Sequence, residues 1–247
     1  MNRDILTILE EKETFIRDKV KEENHEELYY YRALIDAFDI CLNNAKELIS
    51  SDKKELDIKI FTYIIIPRYI SVSKSSIDLA LSGHPFEAFS LSRILLEMSQ
   101  VSQYMLFYPE DIGRYIAGKL KIDDIRKRLS RTYKNKAGDK LFGLLSTFSH
   151  STRENLFTPL FENENGLNSS ILSENYELIK NVIIGVIHNT WSQYIFIRKV
   201  FSDLPIKNDR LIELDAIIMD YTRFKSIFIS NSDGSLEEIS EFIRNLN

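Results

Sequence analysis

The side chains best suited to proton transfer in this 247-residue chain are four histidines, and His150 has the most reactive company. It closes the run Leu144–Ser149 among Ser146, Thr147, Ser149, Ser151 and Thr152, with Arg153 and Glu154 following at once. Imidazole is the side chain whose proton moves near neutral pH, so His150 is the first candidate for acid–base work. Arg153 would hold an anionic or phosphate oxygen through its planar fork of donors. A second polar group lies in the segment Phe86–Phe107. There Ser90, Arg93, Glu97, Gln100 and Tyr104 step by three and four through an otherwise apolar run, which makes them one stripe of a helix. Buried on such a helix, Arg93 and Glu97 would be costly to desolvate and would need further partners, which marks them as a candidate site. Arg93, Glu97, His150 and Arg153 are the candidate catalytic set. The structural alternative is an Arg93–Glu97 ion pair and a His150 that caps a helix end.

The other histidines carry less. His84 reads as a turn residue beside Pro85, His25 as a solvated side chain among acids, and His188 as a hydrogen-bonded core histidine on an apolar helix. No two stand at metal-ligand spacing. The one cysteine, Cys41, cannot form an internal disulfide and reads as a small buried hydrophobe within Ala37–Leu42. No metal and no other cofactor is expected. The eight glycines never approach one another more closely than five residues, so no dinucleotide fingerprint is present. The phosphate loop, the nucleophile elbow and the zinc helix are absent as well. An enzyme is therefore the less favoured reading.

The elements that would position these residues follow from a shortage. Glycine and proline together fill 13 of 247 positions, about 5% against an average of roughly 12%. A sheet-rich fold needs more punctuation than that, whereas helices do not. The expected fold is all-α, a single multi-helix, bundle-like domain of about eight to ten helices spanning residues 1–247. Helices are predicted over residues 3–23, 28–49, 54–81, 86–107, 173–202 and 208–230. Shorter ones are expected within 110–149, and capping boxes begin short helices at Ser151 and Ser235. Pro67 predicts a kink or break in the third helix, and Ser82-Gly83-His84-Pro85 a helical hairpin. Residues 161–170 read as a loop. Residues 1–50 are acidic and would form a packed or dimerising arm. No run approaches the 20 or so apolar residues of a membrane span, and no secretory signal is visible, so a soluble cytoplasmic protein without membrane contact is expected.

Charge is unevenly spread. The net charge is −5, yet between Arg114 and Lys140 ten basic residues meet only Asp123, Asp124 and Asp139. That segment carries +7 and leaves −12 for the remainder. Arg128, Arg131 and Lys134 step there at helical spacing, with Arg126 beside them and Tyr115 and Tyr133 interleaved, a pattern suited to tracking phosphates on RNA or another polyanion. The alternative is a solvated face packed on the protein's own acidic helices.

The pairing of Ala88-x-x-Leu91-x-Arg93-x-x-Leu96-Glu97 with a later helix carrying Ser146 and His150 resembles an uncharacterised family of bacterial all-helical proteins. It is also distantly similar to HEPN-type domains, a helical group that includes RNA-cleaving toxins and defence proteins. The HEPN motif places an Arg four to six residues before a His on one helix. Here the nearest preceding arginine is Arg131, while Arg153 follows His150. Three expectations stand: a helical binding or interaction protein with a polar Arg-Glu-His constellation, a HEPN-like ribonuclease or defence protein, and a self-associating structural protein using Tyr29–Tyr31.

Overall fold

The computed structural model describes residues 5–49, 56–133, 160–163, 166–169, 172, 174–202 and 209–229. Among them lie eight α-helices: α1 (Ile5–Glu23), α2 (His25–Ile49), α3 (Leu56–Leu81), α4 (Pro85–Phe107), α5 (Ile112–Ile116), α6 (Ile122–Tyr133), α7 (Tyr176–Val200) and α8 (Asp209–Ile229). A 3-10 turn, Pro109–Asp111, joins α4 to α5. The fold is an all-α bundle.

Residues 160–169 depart from the expected loop. Strands β1 (Leu160–Asn163) and β2 (Gly166–Ser169) form an antiparallel hairpin in which Asn163 faces Gly166. The pairing of Asn163 with Gly166 leaves two residues between the strands, the commonest hairpin connection length. The short helices expected to begin at Ser151 and at Ser235 fall outside the described residues.

α7 is the centre of the bundle. It packs against α2, α3 and α4, and α3 packs along α4 as the expected hairpin. Gly83 takes a left-handed φ of +83°, which lets its N–H reach the Ala80 carbonyl and the His84 N–H reach that of Leu79. Pro85 then starts α4 at the position where a missing N–H costs nothing. The expected break at Pro67 does not occur, since α3 continues through it. Ile66 and Tyr69 on either side are fully buried, and that packing sustains the helix across the lost hydrogen bond. Between α1 and α2, Asn24 is buried and its backbone bonds Val20 and Leu28, so the chain turns there with little loss of helical pairing.

A seam of small polar side chains runs through the helix interfaces. Tyr31 meets Ser73 at 2.9 Å, Ser76 donates to the Ala88 carbonyl at 2.8 Å, and Gln193 donates to Ser102 at 3.1 Å. Small hydroxyls let backbones approach closely, and the Tyr31, Ser73, Ser76 and Ser102 hydroxyls each have a partner. Two apolar cores result. The larger lies among α1, α2, α3, α4, α7 and α8. A smaller one, built of Phe61, Val101, Tyr104, Met105, Ile112, Leu120, Ile125 and Leu129, seats α5 and α6 on the far end of α4.

Candidate functional site

Arg93 and Glu97 do pair along α4, with Nε to Oε1 at 3.1 Å. The two side chains keep 21% and 28% of their surface, so the pair is largely shielded from water and pays part of the desolvation cost of a buried ion pair. His150, Arg153 and Lys134 lie outside the described residues, so the expected Arg-Glu-His convergence is represented by this ion pair alone. Tyr104 is the last residue of the expected polar stripe. It is fully buried, because the apolar face of α4 is wider at its C-terminal end, where α6 covers it.

The burial of Tyr104 creates the most concentrated polar site among the described residues. Its hydroxyl donates to Asp111 Oδ2 at 2.5 Å and accepts from Arg128 Nη1 at 2.6 Å. Arg128 Nη1 also lies 3.2 Å from Asp111 Oδ2, and Arg114 Nη1 reaches Oδ1 at 2.6 Å. Three elements meet on one carboxylate. Asp111 closes the 3-10 turn after α4, Arg114 stands one turn later on α5, and Arg128 comes from α6. The Asp111 side chain keeps 8% of its surface, whereas Arg114 keeps 51% and Arg128 45%. The Tyr104 hydroxyl holds the Asp111 carboxyl below the usual range, with Arg114 and Arg128 adding to it. Tyr104 itself is pushed up, first by burial and then by its bond to Asp111. Tyr108 packs on Tyr104 with ring centroids 4.7 Å apart.

Around this anchor the basic residues take different roles. Arg126 turns inward, mostly buried, with Asp123 at 3.8 Å. Its guanidinium is thus less accessible than those of Arg114 and Arg128. Lys119, Lys121, Lys127 and Arg131 are exposed. Gly118, at φ +67°, closes α5 by the same cap as Gly83, with the Lys119 N–H on the Arg114 carbonyl at 2.9 Å. That turn leads from Arg114 to the exposed Lys119 and Lys121. α6 packs on α4, while α1 packs on α2, α3 and α7. The basic helix is thus not seated on the acidic first helices.

The remaining candidates resolve simply. His84 sits at the start of α4, 3.5 Å from Glu13, and His25 is exposed beside the Glu22 carbonyl. His188 is not a core histidine. It lies on the outward stripe of α7 and is exposed. The apolar neighbours that suggested a core position face inward on the other sides of the same helix. Cys41 is buried, and burial pushes its thiol up to about 12, so it is no nucleophile at neutral pH. The Tyr29–Tyr31 triplet is not one surface, since Tyr29 is exposed while Tyr31 is buried on Ser73. Successive helical residues point 100° apart, which splits any such triplet.

A second carboxylate that local spacing did not reveal, Asp215 of α8, takes the Tyr194 hydroxyl and Arg198 Nη2, the latter at 3.1 Å. It ties α8 to α7. Among the described residues, no three His, Cys, Asp or Glu side chains gather as a metal site, and no helix is long and apolar enough to cross a membrane. No family model, curated protein or solved structure matches this chain.

Proposed function

We propose that this protein is a helical binding protein that holds a polyanion, RNA being the intended class, on the basic face of α5 and α6. The observation that carries the reading is the seating of Arg114 and Arg128 side by side on the buried Asp111, with both guanidinium groups half exposed. One carboxylate between two cations leaves a net positive charge beside two half-exposed guanidinium groups. Guanidinium forks match phosphate oxygens in geometry and charge. Lys119, Lys121, Lys127 and Arg131 widen the positive field around that pair. The reading assigns no bond-breaking step to the protein. Cytoplasmic residence, where RNA is abundant, suits the free thiol of Cys41.

The test is binding of a labelled single-stranded RNA oligonucleotide across a salt series. Affinity should fall steeply as salt rises, because each neutralised phosphate releases a counterion. Replacing the exposed Lys127 and Arg131 by Gln should weaken binding and flatten the salt slope by about one per lost contact. Arg114→Gln should weaken it further. Binding that is absent at low salt, or that is indifferent to all three changes, would overturn the proposal.

A further inference from the structure

The outward stripe of α1 is built unlike any other surface described. Ile8, Glu11, Phe15, Asp18 and Glu22 step by three, four, three and four, so they share one face of the helix, and all five are exposed. Ile8 keeps 48% of its surface and Phe15 63%. The opposite face, with Leu9, Ile16 and Val20, packs into the larger core. Of the ten large apolar side chains exposed among the described residues, Ile5, Leu6, Ile8 and Phe15 all belong to α1. An exposed stripe that alternates bulky apolar and acidic side chains is suited to a partner that is apolar and basic.

The same molecule exposes residues of that kind in and after α5. Ile116, at the end of α5, is 71% exposed and lies between Arg114 and the Lys119 and Lys121 of the following turn. Lys127 and Arg131, one turn apart on α6, continue the positive charge. Within one chain the two surfaces make no substantial contact among the described residues, since α1 rests on α2, α3 and α7 and α6 rests on α4.

We propose that the occupant of the α1 stripe is a second copy of this chain, with the α1 of one copy docked on the α5–α6 face of another. Ile8 and Phe15 would cover Ile116, and Glu11, Asp18 and Glu22 would meet Lys119, Lys121 and Lys127. The contact joins two different surfaces, so it either closes as a two-fold with two such contacts or propagates. It stands on packing and charge and does not depend on the polyanion reading. It gives that reading a competitor, because RNA and the second copy claim the same cations.

The experiment is light scattering on the full chain, without nucleic acid, at low and high salt. The mass should exceed that of a monomer at low salt and fall toward it as salt screens the contact. Two triple variants decide the surfaces: Glu11→Lys with Asp18→Lys and Glu22→Lys, and Lys119→Glu with Lys121→Glu and Lys127→Glu. Each alone should be monomeric, with its dissociation constant raised tenfold or more, because like charges then face each other. Mixed together, the two should restore the larger mass. All six positions lie at the surface, and circular dichroism confirms that the helices remain. A monomeric wild type at low salt, or a failure of the mixture to reassociate, would overturn the proposal. An RNA-binding defect with self-association intact would instead count against the polyanion reading alone.

Discussion

At the scale of single residues, the structure depends on carboxylates that accept several donors at once, and Asp111 is the clearest. Its pKa is depressed chiefly by the Tyr104 hydroxyl, so the folded state prefers the ionised form more than the unfolded chain does. A depressed carboxylate contributes stability that is complete above the unfolded pKa of about 3.9 and is lost as pH falls through the lower native value. Asp111→Asn should therefore cost about 1–3 kcal/mol at pH 7, with the gap between variant and wild type narrowing below about pH 4. Urea unfolding at a series of pH values measures this; a gap independent of pH would show that Asp111 acts by packing alone. This site was poorly legible in the sequence. Pro109-Glu110-Asp111 reads there as a turn, and only the Arg114 partner, three residues on, is a local signal. Tyr104 and Arg128 lie seven and seventeen residues from Asp111, joined to it by the turn after α4 and the docking of α6. Arg93 and Glu97, by contrast, are four residues apart on one helix, and their pairing was readable before any fold was known.

At the scale of elements, the periodicity of apolar residues and a few punctuating glycines account for most of what the chain does. Ser82-Gly83-His84-Pro85 specifies the α3–α4 hairpin because each residue has one conformational task. Gly83 supplies the positive φ, and Pro85 supplies the first turn of α4. Gly83→Ala should therefore destabilise the protein by about 1–2 kcal/mol, the cost of a left-handed conformation for a residue with a Cβ. Gly185, inside α7, has the opposite sign. A Cβ there meets nothing within 4 Å, so Gly185→Ala should stabilise by about 0.5–1 kcal/mol through helix propensity. Shifts of the urea midpoint in opposite directions would support both assignments, and equal shifts would refute them. Where local pattern misled, tertiary context decided. The apolar sequence around Pro67 held α3 together, and Tyr104 was drawn into the core by α6, which covers that end of α4. Neither effect is written in the spacing of the residues concerned.

At the scale of the whole molecule, the division into two cores bears directly on function. The larger core is enclosed by long helices on several sides, with α7 among them. The smaller holds α5 and α6 through a handful of side chains, and α6 is a short helix that packs on α4. Local opening free energy follows the amount of apolar surface that an element buries, so the basic face stands on the part of the fold that opens most easily. Amides of α6 should exchange with deuterium well before those of α7, with the Asp111 bonds as the brake. Ile125→Ala removes a fully buried side chain from the small core and should release α6 further, by about 2–5 kcal/mol of local stability. The exchange of α7 should be little changed by it. If RNA binds as proposed, adding it should slow exchange in α6, because bridging Arg114 and Arg128 joins α5 and α6 more firmly. Equal protection of α6 and α7 in the free protein would mean that the two cores open as one unit. The basic face would then be a rigid platform, and binding would draw on no reserve of local order.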